Sequence, residues 1–181
     1  VPDTLNLPAS KGFIPGIVAS DEFDRKSGEP TLPLVWQWNH NPDNKLWSLT
    51  GRPGFLRLTT GRIGADFLKA RNTLTQRTIG PECSGTTTID ATNLKDGDFA
   101  GLALLQRQYG LVGVKSDGGT NFIVMINTKS GSPVEAEKVP LSHQIVHLKA
   151  ECDFKERADT ARFFYSLDGK SWTPIGSDLK M

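Results

Sequence analysis

Alternating apolar and polar positions predict that most of this chain forms short β-strands. The pattern is clearest at residues 144–153, where every second side chain is apolar. The apolar positions are Val146, Leu148, Ala150 and Cys152, and the opposite face carries Ile145, His147, Lys149 and Glu151. A period of two is typical of a strand with one buried face. Similar patterns predict strands at 83–91, 109–115, 121–128 and 161–167. Residues 99–106 are apolar on both faces, which favours a central strand.

Turn residues separate these segments. Pro53-Gly54, Gly118-Gly119 and Asp168-Gly169 each lie between two predicted strands, as hairpin turns require. Many short strands joined by such turns predict an all-β fold, a two-sheet antiparallel β-sandwich of jelly-roll type. Residues 21–24 are expected to form the first strand, and residues 67–77 fit a strand better than a helix.

The segment from residue 34 to residue 58 contains three of the four tryptophans. Leu34, Trp36 and Trp38 alternate along one predicted strand, so they form either a core face or a surface that stacks on flat sugar rings. Trp47 and Tyr109 are close to predicted turns and are therefore expected to be more exposed. Arg71 and Gln106 supply polar groups that suit sugar hydroxyls.

Composition narrows the classes of partner. The 21 basic and 20 acidic side chains leave a net charge of +1, which gives no electrostatic reason to expect nucleic acid or an anionic membrane. No apolar run is long enough to span a membrane. The 18 glycines and 11 prolines are typical of a loop-rich β protein of one domain. Proline and glycine interrupt the start of the chain, so residues 1–20 are expected to be a linker or arm before a sandwich domain at 21–181.

Two pairs of side chains raise the question of metal or redox chemistry. His143 and His147 have a spacing that suits zinc only on a helix, whereas a strand separates them by roughly 13 Å. Asp21 and Asp24 offer oxygen atoms for a structural calcium ion, and the alternative is that they cap the first strand. No other cofactor is expected. Cys83 and Cys152 either form one disulfide or remain as buried thiols.

Four ordered blocks of sequence make the chain resemble a known domain family. The blocks are DEFD (21–24), LVWQWNHNPDNKLWSLTGRPGFLRL (34–58), ARNTLTQRTIGPECSG (70–85) and KDGDFAGLALLQRQYGLVGVK (95–115). Together they resemble the C-terminal β-sandwich domain of glycoside hydrolase family 43 β-xylosidases and arabinofuranosidases. The resemblance covers residues 21–172.

This resemblance implies a concanavalin A-like sandwich that packs behind a catalytic five-bladed propeller. It implies xylan or xylo-oligosaccharide as the carbohydrate partner, and it favours a secreted or extracellular location. The catalytic residues of the family lie on the propeller, so none is assigned to this chain. Because the family domain usually continues with further strands, the chain is expected to lack the last strands of the sandwich.

Three functional hypotheses follow. The first is a non-catalytic accessory domain of a xylan-degrading glycosidase, with xylo-oligosaccharide binding through a set of aromatic and polar side chains. That set is Trp36, Trp38, Trp47, Arg71, Gln106 and Tyr109. The second is a free-standing lectin-like module. The third is an enzyme in its own right, for which the candidate neighbourhood is Arg71, Gln76, Arg77 and Glu82.

Overall fold

The computed structural model describes residues 16–25, 31–64, 67–106 and 108–181. The chain divides into two compact units, Val1–Arg77 and Thr78–Met181. The predicted arm at residues 1–20 lies outside the described residues except for its last five. The predicted domain boundaries stay a prediction, and each unit is described by itself.

The described residues of the first unit form four very short strands and one turn of 3₁₀ helix. The strands are β1 (Gln37–Trp38), β2 (Trp47–Ser48), β3 (Arg57–Leu58) and β4 (Leu74–Thr75), and the helix is Phe67–Lys69. β1 pairs with β4 and β2 pairs with β3, both antiparallel. The turn between β2 and β3 contains Gly54 with φ +74°, so the predicted Pro53-Gly54 turn is confirmed.

Three strand predictions in this unit are wrong in whole or in part. Residues 21–24 form no strand, and Phe23 has φ +52°, a conformation incompatible with a strand. The strand expected from Leu34 begins only at Gln37, and Leu34 is 98% exposed. The segment 67–77 begins as a 3₁₀ helix and forms only the two-residue strand β4. Period-two patterns fail here because residues 21–24 form no strand and the other two segments pair with each other over two residues only.

In the second unit, the part of the chain that the structure describes forms nine strands in two antiparallel sheets. They are β5 (Glu82–Asp90), β6 (Phe99–Leu104), β7 (Gly110–Asp117), β8 (Thr120–Asn127), β9 (Val134–Pro140), β10 (Ile145–Asp153), β11 (Thr160–Ser166), β12 (Thr173–Pro174) and β13 (Leu179–Lys180). A 3₁₀ helix, Lys155–Arg157, joins β10 to β11. One sheet has the order β12-β11-β10-β5, with β13 also paired to β11. The other has the order β6-β7-β8-β9. The predicted two-sheet antiparallel sandwich is confirmed.

The core of the second unit lies between these two sheets. The β6–β9 sheet contributes Val112, Val114, Ile123 and Met125, and the other sheet contributes Val146, Leu148, Ala150 and Phe163. The alternation predicted for residues 144–153 is therefore confirmed, because its apolar face is the buried face of β10. Burial of these side chains is the main source of stability.

β6 lies at the edge of its sheet, although its sequence predicts a central strand. Its residues are mostly half-buried. The segment contains Ala100, Gly101 and Ala103. Such small residues make a strand look apolar on both faces, but they do not require a neighbouring layer to bury both faces. The hairpin between β7 and β8 is confirmed, since Gly118 and Gly119 have φ +59° and +76° as a two-residue type I′ loop requires.

The two cysteines are free thiols on neighbouring strands. Cys83 in β5 is directly opposite Cys152 in β10. Burial, together with the neighbouring Cys83, raises the pKa of Cys152 to about 12. The Cys152 thiol is therefore protonated at neutral pH and behaves as an apolar core group.

Asp168 closes the turn between β11 and β12. Its Oδ1 accepts hydrogen bonds from the backbone N–H groups of Ser171 (2.7 Å) and Lys170 (2.8 Å) and from the hydroxyl of Ser166 (2.8 Å). Its Oδ2 accepts a bond of 3.0 Å from the Ser171 hydroxyl. These bonds, led by the Ser171 and Lys170 amides, hold the pKa of Asp168 well below its ordinary range.

We expect Asp168→Asn to lower the melting temperature by several degrees at pH 7, because charge-assisted bonds to the turn are lost. A carboxyl group whose pKa is lowered by folding stabilises the folded state at pH values above its pKa in the unfolded chain. This stabilisation is lost as the pH falls through the pKa of the folded state. The difference between wild type and variant should therefore shrink below about pH 4. Thermal unfolding between pH 2 and pH 8 measures this. Asp178→Asn, which removes an exposed ion pair with Arg162, is the control and should change little. A difference that stays constant down to pH 2 would contradict the assignment.

Candidate functional site

Trp36 is fixed in the first unit by a polar and an aromatic contact. Its Nε1 donates a hydrogen bond of 3.1 Å to Asp21 Oδ2, and its ring centroid lies 5.6 Å from that of Phe23. Asp21 Oδ2 also accepts a bond of 2.5 Å from Arg25. Burial opposes ionisation of Asp21, yet the bonds from Arg25, the Phe23 amide and Trp36 hold its pKa below the ordinary value. Trp36 therefore has a local structural role.

Trp38 and Trp47 form a pair. Trp38 ends β1 and Trp47 begins β2, and their ring centroids are 5.2 Å apart at an interplanar angle of 52°. Both side chains are half-buried. Trp47 Nε1 donates a hydrogen bond of 3.0 Å to Asn44 Oδ1, which fixes the orientation of the indole. The structure thus brings together two of the predicted sugar-binding residues.

Two loops of the first unit are linked beside this pair. Asn72 is 9% exposed and has φ +56°. Its side-chain Oδ1 accepts from the Asp43 amide (2.8 Å), and its Nδ2 donates to the Asp43 carbonyl (3.2 Å). His40 Nε2 lies 2.6 Å from the carbonyl oxygen of Leu68. The segment after β1 is therefore held against the segment that contains the 3₁₀ helix and Arg71.

These links shape an open cleft of about 290 Å³ within the first unit. It is lined by His40, Asn41, Arg62, Lys69 and Arg71. Arg71 was predicted from the sequence, whereas Arg62, Lys69 and His40 were missed. A signal was present, since residues 45–81 contain seven basic side chains and one acidic side chain.

Gln106 and Tyr109, the other two predicted sugar-binding residues, belong to the second unit. Gln106 is exposed. Tyr109 is only 3% exposed, so the prediction that it lies at the surface is wrong. Tyr109 lies directly before β7, where its backbone N–H donates to the Thr128 hydroxyl (2.8 Å) and its carbonyl accepts from the Thr128 amide (3.0 Å). Closeness to a turn in sequence did not mean exposure.

The metal predictions gain no support. Within the described ranges, no group of three or more His, Cys, Asp or Glu side chains is placed to hold an ion. Asp21 is engaged by protein donors, and Asp24 is exposed. His147 Nδ1 is 2.9 Å from the hydroxyl of Thr88, and His143 Nδ1 is 3.2 Å from the hydroxyl of its neighbour Ser142. The calcium site at Asp21 and Asp24 stays a prediction.

The neighbourhood named for an independent enzyme is divided between the two units, and two of its members are engaged in other contacts. Gln76 uses its side-chain amide to pair with the backbone of Ala19, over 2.7 and 2.9 Å. Glu82 forms an ion pair of 2.5 Å with Lys155 within the second unit.

Across the described part of the chain, no helix has the length and apolar content needed to cross a membrane.

Comparison with known proteins identifies the family. The family model described as beta xylosidase C-terminal concanavalin A-like domain matches residues 20–181. A protein of Xylanibacter ruminicola, provisionally named a beta-xylosidase, is 36% identical over 151 residues, which are 83% of this chain and 26% of that protein. The chain therefore spans about a quarter of the length of this relative.

Solved structures agree with that match. A bifunctional GH43-CE protein of Bacteroides eggerthii has 60% sequence identity and a TM-score of 0.91, over 99% of this chain and 23% of that chain. A GH43 glycoside hydrolase engineered for endo-xylanase and exo-arabinofuranosidase activity has 29% identity and a TM-score of 0.83, over 96% of this chain and 36% of that one. The resemblance seen in the sequence is confirmed: the chain belongs to the family of C-terminal concanavalin A-like domains of beta-xylosidases.

Proposed function

We propose that this chain is a non-catalytic accessory domain of a xylan-degrading family 43 glycosidase and packs on its catalytic five-bladed propeller. The observation that carries the proposal is the family match over residues 20–181. The chain also spans only 26% and 36% of the length of two of the related proteins, which leaves room for a catalytic domain in each of them. A domain of this kind stabilises the catalytic domain and shapes its pocket.

Exposed aliphatic side chains in the first unit support a docking role. Leu34 is 98% exposed and Ile63 is 100% exposed. Ile17 and Leu58 in the same unit are also more than half exposed. Large apolar side chains at the surface are typical of residues that a partner covers.

The test compares the full-length protein with a version that lacks residues 21–181. We expect the deletion to lower xylobiose hydrolysis at least about tenfold, and to lower the melting temperature of the remaining part. Leu34→Ser with Ile63→Ser, made in the full-length protein, should also lower its melting temperature. Val134→Ser, at an exposed position of the second unit, is the matched control. Unchanged activity and stability in the deletion would overturn the proposal.

Sugar binding is the second part of the proposal, and the Trp38–Trp47 pair supports it. An indole complements the C–H face of a sugar ring, and Asn44 holds the Trp47 indole in one orientation. With one or two stacked rings, the dissociation constant for xylohexaose should be on the order of 10–1000 μM.

We expect Trp47→Ala to weaken xylohexaose binding by about tenfold, because the stacking surface is lost. Calorimetric titration of the chain with xylohexaose measures this. Trp172→Ala is the control, since Trp172 is a half-buried tryptophan of the second unit. Equal weakening by both substitutions would show that stability, not stacking, was lost. No binding at millimolar sugar would leave only the structural role.

A further inference from the structure

The basic cleft in the first unit has an excess of positive charge. Among the described residues that line it, none is acidic, and three of these five are Arg or Lys. The described residues contain ion pairs elsewhere, for example Arg25–Asp21 and Lys138–Asp117, but no described carboxylate pairs with Arg62, Lys69 or Arg71. The whole chain is almost neutral, so this local concentration of cations is not a reflection of overall composition.

Three cations that pair with no described carboxylate line one cleft, and they favour an anion as ligand. Arginine presents a planar fork of donors that matches a carboxylate, and lysine adds a point charge. A cleft of about 290 Å³ is at the lower limit of known small-molecule sites, which suits a single sugar ring.

The other two lining residues suit hydroxyl groups. His40 Nε2 lies against the carbonyl oxygen of Leu68, and a carbonyl only accepts, so Nε2 carries the proton. In the neutral ring, Nδ1 is then an acceptor that matches a sugar hydroxyl. The Asn41 amide both donates and accepts. This combination fits an acid that also bears hydroxyl groups better than it fits a bare inorganic anion.

We propose that the cleft binds the carboxylate and ring hydroxyls of a hexuronic acid branch carried by a xylo-oligosaccharide. Arg62, Lys69 and Arg71 bind the carboxylate, and His40 and Asn41 bind the hydroxyls. The choice of a sugar acid rests on the proposed carbohydrate function, whereas the anion preference rests on the cleft alone. The domain would then favour acidic, branched xylan over unbranched xylan.

The experiment is calorimetric titration of the full-length protein with three ligands at low salt. They are xylotetraose, xylotetraose bearing one glucuronic acid branch, and the same branched compound with its carboxylate reduced to a hydroxymethyl group. We expect the acid to bind about tenfold more tightly than its reduced form. The preference should fall at high salt, since the cleft is open to solvent.

Lys69→Met with Arg71→Met is expected to reduce that preference to less than about twofold. The control is Lys45→Met with Arg57→Met, which removes the same two charges from exposed positions outside the cleft and should keep the preference. Equal binding of the acid and its reduced form would overturn this inference and leave the proposed function intact. If neutral xylotetraose does not bind but the acidic compound does, the result would contradict sugar stacking on the tryptophan pair and would leave the proposed anion site intact.

A carboxylate on the surface of the catalytic domain has the same chemistry as a sugar acid. If the cleft binds such a protein carboxylate, the Lys69→Met/Arg71→Met variant should lower the melting temperature of the full-length protein, and no preference for the acidic sugar should appear. That result would overturn the proposal.

Discussion

Phe163→Ala is expected to lower the free energy of unfolding by about 3–5 kcal/mol, the usual cost of removing a buried aromatic side chain. Phe163 lies in β11 and is only 2% exposed. Its ring packs against Gly110 of β7 in the facing sheet, where a Cβ atom built at Gly110 would lie 2.9 Å from two ring carbons. Because Gly110 has no side chain, it offers no atoms of its own to fill the space left by the ring. A cavity term should therefore add to the lost burial.

Phe164→Ala is the matched control for this experiment. Phe164 is the next residue of β11, is half-buried, and has Lys149 Nζ 4.5 Å from its ring centroid. We expect its loss to cost less than half as much, since Phe164 is only partly buried and a cation–π contact adds about 0.5–1 kcal/mol. Urea unfolding of both variants measures the difference. Equal losses would show that the inter-sheet core is not where the stability of this unit resides.

The strands of the second unit could be predicted from the sequence because period and burial agree there. In β10, alternate residues from Val146 to Cys152 are the buried ones, so local pattern and tertiary packing gave the same answer. Gly118-Gly119 specified its hairpin by backbone conformation alone. Each prediction depended on one strong physical signal rather than on propensity.

The first unit was harder to predict because its strands are only two residues long. An alternating run from Leu34 to Trp38 looks like a core face, yet Leu34 is almost fully exposed. Phe23 has a left-handed backbone conformation that no period reveals. The pairing partners of such segments are set by tertiary contacts, for example the Asn72 side chain bonded to the backbone of Asp43.

The candidate site was also predicted only in part from the sequence. The tryptophan content of residues 34–58 pointed to Trp38 and Trp47, and the structure pairs them. Tyr109 was misplaced because turn proximity is a weak measure of burial. Lys69 was missed because a cluster of cations forms only when two loops are held together, and a search for aromatic side chains does not detect it.

Gly113→Ala is expected to lower the free energy of unfolding by about 1–3 kcal/mol or more, the range for overpacking a full core. Gly113 in β7 is directly opposite Gly101 in β6. A Cβ atom at Gly113 would lie 2.5 Å from the carbonyl oxygen of Ala100 and 3.0 Å from the Gly101 Cα. Both are backbone atoms of the neighbouring strand and have no rotamer to change. Accommodating even one methyl group therefore requires β6 to move away from β7.

Gly85→Ala is the control that isolates this steric effect. Gly85 also lies within a strand, β5, but a Cβ atom there would meet nothing within 4 Å. Neither glycine has a left-handed φ, so alanine suits both backbones. Gly85→Ala should be neutral or stabilise by about 0.4–1 kcal/mol, because the unfolded chain loses freedom. Denaturant unfolding compares the two variants, and hydrogen exchange should show faster exchange of β6 amides in Gly113→Ala alone. Similar stability in both variants would mean that β6 and β7 are not packed as closely as the Gly101–Gly113 pair indicates.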